Sequence, residues 1–170
     1  MDVMATKNVQ TNYGTYVALA VTALQSLANS ATVGWGSARV SNVVTKATDY
    51  EIFVKLTTAN TPPANDKAAY VYICPMMTTD GGNTWLVADQ GTLTLPTGTD
   101  AGSTIASPNS LKLLGILPYT TQQMVMQGMW NLSNIGMIPD GFSIIIVNFT
   151  GAALSTSCVV AYRPITTDVV

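Results

Sequence analysis

Hydrophobic residues along this chain recur mainly at every second position, the period of a half-buried strand and not that of a helix. Tyr50, Ile52, Val54 and Leu56 alternate with Glu51, Phe53 and Lys55, giving one apolar and one mixed face. Ala69, Val71 and Ile73 alternate with Tyr70, Tyr72 and Cys74 in the same way. The run from Phe142 through Ser143, Ile144, Ile145 and Ile146 to Val147 breaks the pattern by being almost wholly apolar. Such a run predicts a strand covered on both faces. Residues 158–162 form the last clear strand, which Arg163 and Pro164 are expected to stop. Weaker alternation over 16–24, 32–40, 85–95, 111–117 and 122–132 brings the total to eight or nine strands. Only 25–30 and 122–129 hint at helix, and the second reads better as strand.

The connections carry turn chemistry suited to antiparallel pairing. Asp80, Gly81, Gly82 and Asn83 read as a hairpin loop, with glycine free to take positive φ. Pro139, Asp140 and Gly141 turn into the apolar run, and residues 148–151 turn out of it. Residues 61–66 form a rigid loop, and 96–109 a long polar one. Short, evenly spaced strands with these turns predict an all-β, single-domain antiparallel β-sandwich of jelly-roll-like form. No repeat is visible. The expected division is an extended N-terminal arm over 1–12, the sandwich over 13–163, and a C-terminal tail over 164–170. The arm and the loop 96–109 are the expected contact segments.

Composition narrows the function classes. The chain has no histidine, 7 Lys and Arg, and 9 Asp and Glu in 170 residues. Charged residues make up 9% where a soluble domain carries about a quarter. Acid–base catalysis favours His, and catalytic metals favour His, Cys and carboxylate clusters. The net charge of -2, with no basic run, argues against nucleic acid as a partner. No apolar stretch is long enough to span a bilayer. The opening Met1, Asp2, Val3, Met4 lacks the form of a secretory signal, so synthesis and assembly in a cytosol are expected. A surface rich in Thr, Ser, Asn, Met and Tyr suits burial against protein, which predicts an oligomer or a component of an assembly. Cys74 and Cys158 read as buried thiols, with a disulfide as the less expected alternative.

Individual candidates for chemistry are few. Asp49 and Glu51 share a strand face about 7 Å apart, within the range of a glycosidase carboxylate pair. Two solvated charges screened by Lys46 and Lys55 are the expected reading. Asp80 and Asn83 offer too few oxygens for calcium. Gly34, Trp35, Gly36 and Ser37 precede no helix and make no phosphate cradle. Asn131 and Asn148 each begin a glycosylation-type triplet, read as accidental. No catalytic, cofactor-binding or metal-binding residue is assigned. Trp35, Trp85, Trp130, Tyr70 and Tyr72 are expected in the core or at interfaces, with a sugar-binding platform as the alternative.

Several segments together resemble a group of small structural proteins of tailed-bacteriophage virions. They are Tyr13-Gly14-Thr15, residues 24–32, Val40-Ser41-Asn42, and Tyr70 to Ile73 followed by Asp80 to Trp85. Residues 111–117, 138–142 and 148–154 continue the likeness in order. The methionines from Met124 to Met129 depart from the group, which carries polar and aromatic residues there. The resemblance implies a β-sandwich building block of a virion and brings no catalytic residues. The expected function is therefore a capsid decoration (cement) protein, a homotrimer bound to the major capsid protein. The alternative is a tail or baseplate adhesion module that binds host glycan.

Overall fold

The computed structural model describes residues 8–30, 32–59, 67–87, 100–104, 111–119 and 125–169. Twelve strands lie within these residues: β1 (Val9–Tyr13), β2 (Val17–Ala18), β3 (Val33–Gly36), β4 (Val40–Ser41), β5 (Asp49–Thr57) and β6 (Ala68–Thr78), then β7 (Trp85–Val87), β8 (Ala101–Thr104), β9 (Lys112–Pro118), β10 (Val125–Asn131), β11 (Gly141–Phe149) and β12 (Val159–Val169). They build two antiparallel sheets. The first has the order β1–β12–β5–β10, with β2 further along the β12 edge that β1 uses. The second has the order β7–β6–β11–β3–β8, with β9 beside β7 on one edge of β6 and β4 beside β3 on one edge of β11.

Pieces that share an edge act as one strand, which leaves eight principal strands. β1/β2 pairs with β12, β3/β4 with β11, β5 with β10, and β6 with β9. First thus pairs with eighth, second with seventh, third with sixth and fourth with fifth. That is one long antiparallel ribbon wound into two sheets, a jelly roll. β7 and β8 are additions within the connection from β6 to β9, so the strand number exceeds the expected eight or nine.

The inward alternation expected for β5 holds: Tyr50, Ile52, Val54 and Leu56 are buried and meet Val71, Ile73, Phe142, Ile144 and Ile146 from the opposite sheet. Tyr50 and Phe142 make an edge-to-face contact, 5.1 Å between ring centroids. Each such side chain withdrawn from water contributes about 1.5–3 kcal/mol. The outward residues of β11 are buried as well. Ser143, Ile145 and Val147 lie under a second cluster that includes Cys74 and Leu111, flanked by Tyr70, Tyr72 and Val87. The continuous apolar run therefore is a strand covered on both faces.

Several expectations need correction. Pro164 does not stop the last strand: β12 runs on to Val169, and residues 164–169 are not a tail. The register places Pro164 opposite Gly14, whose N–H donates to the Pro164 carbonyl at 2.8 Å. Only one ladder bond is lost, at the break between β1 and β2, so a proline is tolerated in a central strand. A Cβ on Gly14 would lie 2.8 Å from Pro164 Cγ, so this position needs glycine. The expected arm contains all of β1 but Tyr13, and β1 pairs with β12 over residues 9–13; residues 1–7 lie outside the described residues. Within 96–109, residues 101–104 form β8 against β3, and the remainder, Asp100 apart, lies outside the described residues. The Asp100 carboxylate accepts the N–H groups of Thr22 and Ala23, fixing the turn at 22–26 where a strand was expected to continue. Residues 25–30 contain no helix.

The turn after β11 is held by a buried polar knot. Asn148 Nδ2 donates to the carbonyls of Leu27 (2.9 Å) and Ala152 (2.8 Å), and Asn148 Oδ1 lies 2.7 Å from the Thr150 hydroxyl. Asn148 is fully buried, so its triplet is a packing element and no acceptor for glycan in the folded chain.

At the corner where β9 meets β10, the Trp130 indole lies against two glycines. A Cβ on Gly115 or Gly128 would fall 2.2 Å from the ring. Gly128→Ala is therefore expected to displace Trp130 and cost about 1–3 kcal/mol, read as a lower midpoint in urea at unchanged slope. An unchanged midpoint would show that the indole does not close this corner.

Candidate interaction surface

The outward face of the first sheet is organised around Arg163 on β12. Its register partner on β5 is Glu51, and Arg163 Nε lies 2.7 Å from Glu51 Oε1. The guanidinium sits between two rings, 4.8 Å from the Tyr13 centroid and 4.9 Å from that of Tyr16. The Tyr16 hydroxyl donates to the same Glu51 carboxylate. Burial works against the Glu51 charge, but the bonds from Tyr16 and Arg163 outweigh it and hold the carboxyl below its ordinary value. The bond to Glu51 in turn pushes the Tyr16 phenol up.

Asp49, two residues earlier on β5, is equally committed. It accepts from Asn131 Nδ2 (2.8 Å), Ser133 N–H (2.9 Å) and Ser133 Oγ (2.7 Å), tying down the short 3-10 turn Leu132–Ile135. Partial burial opposes its charge, yet these bonds and the Tyr50 N–H leave it below the ordinary value. A glycosidase pair needs one carboxyl raised to act as acid. Here both are lowered, and both spend their lone pairs on the fold. The screening expected from Lys46 and Lys55 falls instead to Arg163, Tyr16, Asn131 and Ser133. Sequence reasoning missed Arg163 because it was placed at a strand end. The same-face pairing of Glu51 with a cation six residues before the end of β12 needs the β5–β12 register to be visible.

Beside this cluster the sheet face has an apolar stretch, with Lys55 and Gln127 next along it. Tyr16, Phe53, Met129 and Ala161 line a shallow hollow of about 420 Å³. Met129 in its lining is exposed, as are Val125 and Val159 further along the same face. A second apolar groove, about 350 Å³, lies at one end of the sandwich, where Met77 and Leu86 of the β6–β7 hairpin face Met137, Ile138 and Pro139. The Asp80 turn beside it is rigid: bonds from Thr84, Thr78 and Asn83 hold the Asp80 carboxyl down at about 2. Asp80 thus serves its turn, as expected.

The aromatic residues do not share one platform. Trp35 is buried in the core, which removes it from any sugar-binding surface. Trp130 belongs to the first sheet and closes the β9–β10 corner. Trp85 lies in the second, its Nε1 donating to Gly82 O at 2.8 Å and the Arg39 guanidinium stacked 4.4 Å from its ring. Tyr70 and Tyr72 stack on each other on the outward side of β6. Cys74 and Cys158 are buried and not joined to each other. Among the described residues no cluster of three or more His, Cys, Asp or Glu could hold a metal ion, and no helix is long and apolar enough to cross a membrane.

Because the folded values of Asp49 and Glu51 lie below those of the unfolded chain, their contribution is complete above about pH 5 and fades as pH falls through the lowered values. Thermal midpoints should therefore be flat from pH 7 to about pH 5 and drop below about pH 4. Glu51→Gln should lower the plateau and flatten the acid limb. A wild-type midpoint that holds steady down to about pH 2.5 would contradict this account.

Neither a protein-family model nor a curated protein matches the chain. Among solved structures, one of infectious bursal disease virus Gt strain is 13% identical, covering 96% of this chain and 39% of that chain with a TM-score of 0.13. A likeness so low supports no argument about fold or function.

Proposed function

We propose that the chain is a structural protein of a bacteriophage virion, a decoration (cement) protein that binds the outer surface of the capsid and stabilises the head. The observation that carries this reading is the outward face of the first sheet. Of its described charges, Asp49, Glu51 and Arg163 are consumed internally and only Lys55, opposite Val159, lies outside these contacts, while Tyr16 and Met129 stand exposed at an apolar hollow and Val125 and Val159 are exposed on the same face. A face with little free charge and apolar relief binds by area, about 25 cal/mol per Å² of apolar surface removed from water. Repetition over many equivalent sites on a shell lets contacts of modest strength hold together. The major capsid protein is the proposed partner, and the virion, assembled in the host cytoplasm, the proposed location. The sequence resemblance to virion proteins and the jelly-roll framework support the same reading, and its mechanism requires no catalytic group, cofactor, nucleic acid or lipid.

Deleting residues 1–12, the expected contact arm, is not a clean test, because residues 9–12 belong to the first sheet. Charges placed on the proposed face are cleaner. Met129→Lys combined with Val159→Lys should leave the circular-dichroism spectrum intact and weaken loading onto purified heads at least about tenfold. Quantitative mass spectrometry of tail-less heads should find the wild-type chain in high copy and in fixed ratio to the major capsid protein. A few copies per virion, lost with the tail, would reject the decoration role and favour the adhesion apparatus.

A further inference from the structure

We infer that the open edge of β1 pairs with the same edge of a second copy, joining two first sheets into one continuous sheet across a two-fold axis. This stands whether or not the chain is a virion protein.

The first sheet ends at β1, with no strand beyond it among the described residues. The direction of its backbone groups follows from one hydrogen bond. Gly14 N–H donates to Pro164 O, and Gly14 lies opposite Pro164 in the β1–β12 register. In an antiparallel pair, hydrogen-bonded and non-hydrogen-bonded positions alternate. Gln10 and Asn12 therefore share the inward set with Gly14, and Val9, Thr11 and Tyr13 turn their N–H and C=O groups away from β12. These outward groups form a row at the sheet edge.

Edges of this kind are usually guarded by lysine, proline or a bulge. β1 has none of these within Val9–Tyr13, and it carries no charge. Its neighbour Asp168 is held by Asn12 Nδ2 at 2.6 Å. Val9 and Tyr13 are 68% and 60% exposed, much for residues of their size in an ordered strand. Residues 166–169 of β12 pair with β1 and have no register partner on β5, which begins at Asp49 opposite Ile165. Beyond that point only two strands are paired, and a two-stranded ribbon is marginal in water by itself.

The five residues are their own complement. Antiparallel pairing centred on Thr11 sets Thr11 opposite Thr11, Val9 opposite Tyr13, and Gln10 opposite Asn12. Thr11 and its mate, like Val9 and Tyr13, then fall at hydrogen-bonded positions, so every outward N–H and C=O of both edges finds a partner. The side-chain pairs are threonine with threonine and aromatic with β-branched on one face, amide with amide on the other. All are favourable cross-strand neighbours, and no like charges meet. A second copy satisfies both the backbone row and the side chains, and that commits the edge to this occupant. The contact is small, so reversible association is expected.

The test is sedimentation velocity of the full chain from low micromolar to near-millimolar concentration. The wild type should show a monomer–dimer equilibrium. Thr11→Lys places like charges face to face, and Thr11→Pro removes an outward N–H while leaving the β12 ladder alone. Each should weaken the dimer at least about tenfold with an unchanged circular-dichroism spectrum. Thr11→Cys adds a near-isosteric arm: Cα atoms of a hydrogen-bonded pair lie about 5.5 Å apart, within disulfide reach. It should cross-link to a covalent dimer under mild oxidation, whereas Gln10→Cys, which faces Asn12, should not. A monomer across the whole range, a trimer indifferent to Thr11, or a dimer in which Thr11→Cys does not cross-link would each overturn the inference.

Discussion

The burial of β11 on both faces is the constraint on which the rest of the structure depends. Phe142, Ile144 and Ile146 fill the space between the sheets, while Ser143, Ile145 and Val147 are closed off on the outer side. A strand without a wet face must have all its backbone groups paired within the protein, since an unpaired buried N–H or C=O costs about 1–3 kcal/mol. β6 supplies one full ladder, from Phe149 opposite Ala68 to Gly141 opposite Met76. The other edge is met piecewise by β3 and β4, and Ser37 extends the pairing between them. Its N–H donates to Ile144 O, and its buried Oγ accepts from Ile144 N–H. At the end of the strand, Asn148 and Thr150 carry the chain around a buried turn and bind it to the segment at Leu27. Second-sheet order thus follows from the need to surround one apolar strand.

The first sheet solves a different problem. It covers the core with one face and leaves the other open, so its outward residues need not be apolar. Yet most of the charges present, Lys55 apart, are drawn into contacts within the sheet. Glu51 and Arg163 meet across β5 and β12, flanked by Tyr13 and Tyr16, and Asp49 holds the turn after β10. An exposed ion pair alone adds little stability. Here the tyrosines confine the guanidinium, which fixes β1 and β2 against β12 at the very edge where Gly14 and Pro164 interrupt the ladder. The polar cluster is in this sense a clasp for the first strand.

How much of this was legible depended on how local each signal was. The period-two alternation of β5 and β6 and the continuous run of β11 were visible, because burial on one or two faces writes itself into neighbouring residues. The jelly-roll framework followed from strand number and turn spacing. Lost to the sequence were features whose cause lies far away along the chain. Pro164 signals an end, and only its pairing with Gly14, 150 residues earlier, permits the strand to continue. β1 and β8 carry polar, unpatterned residues since each sits on an edge with little to bury, and such strands exist through their partner's hydrogen bonds alone. The carboxylates were noticed but not their partners, because Tyr16 and Arg163 reach β5 from the β12 side and Asn131 and Ser133 from the β10 side.

The scarcity of charge gains its meaning from this geometry. Of the few carboxylates, Asp49, Glu51, Asp80 and Asp100 each serve a turn, a clasp or a backbone N–H. Little ionic surface is left to repel a neighbour or to recognise one by charge. Methionine, valine and tyrosine side chains at Met129, Val125, Val159 and Tyr13, with Met77 and Leu86 at the sandwich end, form the exposed relief in its place. Contacts made by such side chains are short-ranged, weakly dependent on salt and forgiving of small shifts in register, since methionine adapts its shape to the surface opposite. Specificity must then come from elsewhere. In a β-sandwich the available source is the backbone itself, whose hydrogen-bond row at an open edge admits a partner only in register. In the two readings proposed above, the apolar relief holds a partner and the open edge of β1 aligns a second copy.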